Sequence, residues 1–118
     1  PEMIFTNYPR GKEKILGYRS KWMEDSFEYK HTQREFHTLD ETPLITQKLH
    51  KTAVTCGEIF GLSGYFRVDI RLSEEGIPYV LEVNANPCTS PDSGFVAAGK
   101  EAGFSTKDMI QQIISCLN

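Results

Sequence analysis

The sequence predicts an α+β fold in which an antiparallel β-sheet packs against helices, and three observations carry that prediction. Residues 65–72 alternate apolar with polar, and residues 79–84 do so again after the turn Ser73-Glu74-Glu75-Gly76. Stretches on both sides of this hairpin repeat apolar residues at three- and four-residue steps, the pattern of helices that bury one face. With 118 residues, 39% apolar and 25% charged, the chain has the length and balance of one folded domain, so 1–118 is expected to be a single domain.

Taken in order, residues 1–12 show no sustained period, and Asn7-Tyr8-Pro9-Arg10-Gly11 reads as turn and loop. Lys14 to Trp22, with Ile15, Leu16, Tyr18 and Trp22, is short and aromatic-rich and reads as a strand. Residues 24–39 are polar, a loop with room for a second short strand. Thr42-Pro43 opens a helix, Thr as cap and Pro at the first helical position; Leu49, Ala53, Cys56 and Phe60 then mark its buried face up to Gly61. In the hairpin, Phe66, Val68, Ile70 and Leu72 share one face and Tyr65, Arg67, Asp69 and Arg71 the other; Tyr79, Leu81 and Val83 are set against Val80, Glu82 and Asn84. The loop from Ala85 to Ser93, rich in Asn, Pro, Ser and Asp, is irregular. A short helix is predicted over Phe95 to Glu101. Ser105 or Thr106 then caps a last helix running through Met109, Ile110, Ile113, Ile114 and Leu117.

Composition excludes several function classes. A formal charge of −3 supplies no positive field for nucleic acid. No apolar run approaches the roughly 20 residues of a membrane span, and Pro1-Glu2-Met3-Ile4-Phe5 lacks the basic start of a secretory signal. Cys56, Cys88 and Cys116 form an odd set without Cys-x-x-Cys spacing, which points to a reducing cytoplasm rather than a disulfide framework or zinc site. A zinc or thiol enzyme built on His31, His37, His50 and the cysteines is disfavoured by their irregular spacing. His50 and Cys56 fall on the long helix as a surface histidine and a buried cysteine.

The hairpin carries the chemistry. Pairing Asp69 with Glu82 sets Arg67 opposite Asn84, and two carboxylates facing each other at about 4.5–5.5 Å between Cβ atoms repel unless a cation lies between them. Oxygen donors from Asp69, Glu82 and Asn84, with no nitrogen or sulfur among them, suit a hard ion such as Mg²⁺, which is usually shared with phosphates and so implies a nucleotide. Arg67 offers a positive fork to a transferring phosphoryl group or an oxyanion. The bland alternative is an ordinary hairpin with one solvated polar face.

Gly64-Tyr65-Phe66-Arg67-Val68-Asp69-Ile70, followed by Tyr79-Val80-Leu81-Glu82-Val83-Asn84-Ala85-Asn86-Pro87, strongly resembles the signature of ATP-grasp enzymes, most closely the D-alanine–D-alanine ligases and their relatives. The similarity continues through Ser90-Pro91-Asp92-Ser93, the Ala97-Ala98 and Ala102-Gly103 pairs and the last helix, and is looser before residue 62. The resemblance implies the C-terminal subdomain of the ATP-grasp fold. It places Asp69, Glu82 and Asn84 on the Mg²⁺ ligands, with Mn²⁺ as a substitute ion and Glu82 bridging two ions. Arg67 falls on the arginine that steadies the acyl phosphate and the tetrahedral species. Ser93 falls on the serine that holds the second amino acid's carboxylate, and Lys21, in Tyr18-Arg19-Ser20-Lys21-Trp22, on the lysine that reaches the terminal phosphate of ATP. From the residues alone, Lys21 is a solvated strand-end lysine and Ser93 a helix cap. The implied reaction activates a carboxylate with ATP as an acyl phosphate and ends with an amine forming an amide bond.

Three positions depart from the dipeptide ligases. Cys88 stands for a Gly whose backbone N–H serves the oxyanion, Gly94 for a larger apolar residue near the second substrate, and Trp22 for a hydrogen-bonded Tyr, so the resemblance does not specify D-alanine. The family's adenine slot, two further lysines and Gly/Ser-rich phosphate loop have no counterpart before Lys14. The expected partners are therefore ATP, small carboxylate and amine substrates and missing N-terminal subdomains of the same protein, with a homodimer as the assembly the relatives suggest. The isolated chain is expected to bind nucleotide weakly and not to turn over. The competing class is a non-catalytic divalent-cation-binding or protein-interaction module. Arg67 and Lys21 favour the enzyme, because a purely structural cation site gains nothing from neighbouring positive charge.

Overall fold

Two antiparallel strand pairs and five helices make up the computed structural model, which describes residues 1–116 and divides into two compact units, residues 1–38 and the chain from Leu39 onward. The α+β class predicted from the sequence is observed. Each pair is a separate two-stranded sheet, so the expected single sheet is not formed.

In the first unit, β1 (Glu2–Phe5) pairs with β2 (Thr32–Glu35), Glu2 opposite Glu35 and Phe5 opposite Thr32. Residues 1–12 show no sustained period in the sequence, and only Asn7 to Gly11 reads as turn and loop, so this strand is not predicted. Four residues are too few to display a period, and the partner that makes them a strand lies some thirty positions away. Tyr8 leaves the strand through Asn7, whose φ is 55°, and donates or accepts at the Thr32 hydroxyl over 3.0 Å. Its ring meets Phe5 edge-on at 5.3 Å and Phe27 at 5.4 Å, while Phe27 stacks on His31 at 4.0 Å. These offset aromatic contacts close the small sheet against α2 (Phe27–Lys30).

The strand expected over Lys14 to Trp22 is instead an irregular approach followed by a short helix, α1 (Tyr18–Trp22). No partner strand pairs with it in this unit, so its backbone groups are satisfied locally. The Lys21 N–H donates to the Gly17 carbonyl, the Met23 N–H to Arg19, and the buried Ser20 hydroxyl back to Gly17 at 3.0 Å. Ser26, also buried, donates to the Arg19 carbonyl at 2.9 Å and accepts from the Tyr29 N–H, so one hydroxyl ends α1 and caps α2.

The second unit opens with α3 (Pro43–Ile59), bounded by Thr42 and Pro43 as the sequence predicts. The Thr42 hydroxyl is turned outward and donates to the Leu39 carbonyl at 3.0 Å instead of capping the helix. At the far end Gly61 takes φ 61°, letting its N–H reach the Glu58 carbonyl and the Leu62 N–H reach Gly57, a Schellman closure. Cys56 is buried and His50 exposed, as expected, but Phe60 lies 64% exposed beyond the buried stripe. Gly57 allows α3 to approach the hairpin closely: a Cβ there would lie 2.6 Å from the Phe66 ring tip.

The hairpin consists of β3 (Arg67–Leu72) and β4 (Pro78–Asn84), joined by the expected turn, in which the Ser73 N–H donates to Ile77 and Gly76 to Ser73. Helix α4 (Gly94–Glu101) starts at Ser93 and ends at Gly103, φ 87°, with a second Schellman closure from Gly103 to Lys100 and Phe104 to Gly99. Helix α5 (Thr106–Ser115) follows, and its buried Met109 sits against Gly99 of α4. The predicted contribution of Leu117 lies outside the described residues. Among the described residues no helix is long and apolar enough to cross a membrane.

Candidate metal and phosphate site

The hairpin register sets the site. Asp69 pairs with Glu82, and Arg67 with Asn84, the register assumed at the sequence level. Paired residues of an antiparallel ladder project to the same face, so these four side chains share one surface.

Immediately beyond them the alternation breaks. Ile70 pairs with Val80 rather than Leu81, a one-residue bulge that leaves Leu81 unpaired and 68% exposed. The expected grouping of Tyr79, Leu81 and Val83 is therefore corrected: Val80 joins the Ile70 face, and Tyr79 pairs with Arg71 on the polar one. Period-2 reasoning assumes an uninterrupted ladder, and an extra residue reverses every assignment past it.

The electrostatics centre on Arg67. Its Nε donates to Asp69 Oδ1 at 2.6 Å and its Nη2 to Asp69 Oδ2 at 2.9 Å, a two-pronged pair between neighbours on one strand face. The same Nη2 lies 3.9 Å from Glu82 Oε1. The hydrogen bonds it donates to Asp69 hold the guanidinium above its ordinary pKa despite partial burial. A cation thus already sits between the two carboxylates, which answers their repulsion but points Arg67 at Asp69 instead of outward. The pair is wet, with the two side chains 33% and 38% exposed, so little free energy holds the fork in place.

Asn84 is oriented by the loop that follows. Its Oδ1 accepts from the Asn86 N–H at 2.9 Å, and Asn86 Oδ1 in turn accepts from the Tyr65 hydroxyl at 2.7 Å. Tyr65 also packs on Phe95 at 5.3 Å, linking the loop to α4. The sequence reading named neither Tyr65 nor Asn86 as part of the site. The Asn-x-Asn spacing was the available signal, since Asn side chains commonly bond a backbone N–H two residues on.

Pro87 behind this loop is fully buried, and Cys88 is exposed. The Cys88 thiol lies 3.2 Å from the Ser90 hydroxyl, and hydrogen bonding to Ser90 lowers its pKa. Ser93 accepts from the Val96 N–H at 3.3 Å and caps α4, the role its residue type suggests by itself. Lys21 is exposed on α1 in the first unit, a helical lysine instead of a strand one.

Asp69, Glu82 and Asn84 offer oxygen donors only, which fits a hard divalent ion in place of the guanidinium. Among the described residues no group of three His, Cys, Asp or Glu side chains is placed to hold a metal. The third donor here is an amide, consistent with a shared Mg²⁺ site completed by phosphate and water rather than a closed protein cage.

Comparison with known proteins follows the same residues. The family described as "D-ala D-ala ligase C-terminus" matches residues 7–115. D-alanine--D-alanine ligase of Maridesulfovibrio salexigens is 33% identical over 112 residues, covering 95% of this chain and 34% of that protein. The Methylacidiphilum infernorum protein of the same name is 38% identical over 77 residues, 65% of this chain and 24% of its own length. D-alanine--D-alanine ligase B of Clostridium perfringens is 30% identical over 105 residues, 89% of this chain and 32% of its own. The chain thus spans about a third or less of these relatives. No solved structure matches it significantly.

Proposed function

The chain belongs to the family of D-alanine–D-alanine ligase C-termini, and we propose that it is the C-terminal catalytic portion of an ATP- and Mg²⁺-dependent carboxylate–amine ligase working through an acyl phosphate. The observation that carries the proposal is the facing pair Asp69 and Glu82, flanked by Arg67 and Asn84 on one face of a two-stranded hairpin.

Asp69, Glu82 and Asn84 hold the ion in this reading. When bound, Mg²⁺ neutralises phosphate charge and polarises the phosphoryl oxygens. Asn84 arrives already oriented by the Asn86 N–H. Arg67, on the same face, stabilises negative charge on the acyl phosphate and on the tetrahedral species formed by the attacking amine. Ser93 keeps its hydroxyl proton for the second substrate's carboxylate while its oxygen accepts from Val96. Lys21 is the phosphate-reaching lysine, its geometry toward ATP completed in the longer ligase together with the N-terminal nucleotide-binding subdomains. Three free cysteines agree with work in a reducing cytoplasm.

Calorimetry of the chain tests the reading. Mg²⁺ is expected to bind, Asp69→Asn to abolish that heat, and ATP to bind weakly and only with Mg²⁺ present. A site that prefers Ca²⁺ and ignores nucleotide would select the non-catalytic cation-binding module instead.

A further inference from the structure

We propose that Arg67 is the resident counter-ion of the carboxylate pair, and that a divalent ion displaces its guanidinium from Asp69, turning the fork outward to the anionic ligand. This rests on the metal-site reading above and adds to it a coupling between metal occupancy and the position of Arg67.

Both Asp69 oxygens are engaged by the fork, at 2.6 and 2.9 Å, and Glu82 shares the same Nη2 at 3.9 Å. The guanidinium therefore fills the place where an ion bridging the two carboxylates would sit. Two cations cannot share that place: they repel, and they compete for the same oxygen lone pairs. Arg67 is also free to leave. Its side chain is about one-third exposed and its register partner is the neutral Asn84.

The consequence is an order of events. In the metal-free chain the arginine is parked on Asp69 and presents little charge to a phosphate. Once an ion takes Asp69 and Glu82, the arginine is released beside the ion, where a phosphoryl group bound to that ion lies. A phosphate arriving without metal meets a committed arginine and binds poorly.

Mn²⁺ titration of the 118-residue chain by electron paramagnetic resonance tests the exchange, using Arg67→Gln, Arg67→Lys and Asp69→Asn. Removing the resident cation is expected to tighten Mn²⁺ binding by about threefold to tenfold in Arg67→Gln, the range set by a partly exposed two-pronged pair, with Arg67→Lys in between. Equal or weaker Mn²⁺ binding in a folded Arg67→Gln, with binding still abolished in Asp69→Asn, overturns the exchange and leaves the metal reading standing. Absence of Mn²⁺ binding in both parent and Arg67→Gln removes the metal reading itself. If Arg67→Gln does not fold, the parent decides: the Arg67 Nε–H resonance is expected to shift and exchange faster as Mg²⁺ saturates the chain, and an unmoved resonance overturns the proposal.

Discussion

Asp69 and Glu82 face each other across the hairpin one step before the ladder slips, so the paired carboxylates sit at the edge of a β-bulge. Like charges in that position oppose pairing and a bulge increases local twist, a combination natural proteins retain next to functional sites. Substituting Glu82→Gln relieves the repulsion and removes one metal oxygen. The metal-free chain is expected to melt within about 0.5 kcal/mol of the parent, because an exposed pair contributes little. The rise in melting temperature produced by millimolar Mg²⁺ should disappear. Thermal scans with and without Mg²⁺ check both; an undiminished Mg²⁺ shift contradicts the assignment of Glu82.

Tyr65→Phe keeps the ring on Phe95 and deletes the hydroxyl that donates to Asn86. A loss of about 1 kcal/mol is expected from the missing hydrogen bond. Because Asn86 in turn positions Asn84, Mg²⁺ affinity should also fall severalfold. Urea unfolding and a metal titration on the same variant separate the two effects.

Glu28 anchors the first unit, accepting from Lys12 Nζ at 2.8 Å and Arg19 Nε at 3.1 Å. The Lys12 hydrogen bond is the main reason its pKa is pushed down from 4.5 to about 2. A lowered folded-state value means the contribution is present above the ordinary value and is lost as pH falls from about 4.5 toward 2. Replacement by Gln should flatten stability across that window and leave its slope near neutrality unchanged, as read by denaturant melts at a series of pH values.

Ser105 opens α5 with a full capping box, its hydroxyl accepting from the Asp108 N–H and the Asp108 carboxylate accepting from the Ser105 N–H at 2.8 Å. Ser105→Ala removes the hydroxyl that accepts from the Asp108 N–H and leaves the backbone N–H of residue 105 donating to the Asp108 carboxylate. A cost of about 1 kcal/mol is expected. Ser105→Asp should restore most of it, since a carboxylate at that position accepts from the same N–H, and circular-dichroism melts distinguish the two.

What the amino-acid order determined by itself was everything that depends on near neighbours. The alternation of Arg67, Val68, Asp69 and Ile70, the cap residues Ser93 and Ser105, Pro43 at the first turn of α3 and Gly61 at its end were all legible, because side-chain period and cap chemistry act within a few residues. The facing of Asp69 and Glu82 was not among these: counted outward from the turn at residues 73–76, an unbroken ladder would set Asp69 against Leu81, and only the slip brings Glu82 opposite it. Tertiary structure decided the rest. The slip at Leu81 comes from the ladder as a whole, and it moved Val80 and Tyr79 to faces that alternation assigned the other way. Whether residues 2–5 paired, and whether residues 18–22 coiled, depended on which distant segment offered backbone partners: β2 did so for the first, and nothing in its unit did for the second. The aim of Arg67 was likewise settled in three dimensions, because a guanidinium within reach of two carboxylates turns to the one that can accept both of its prongs.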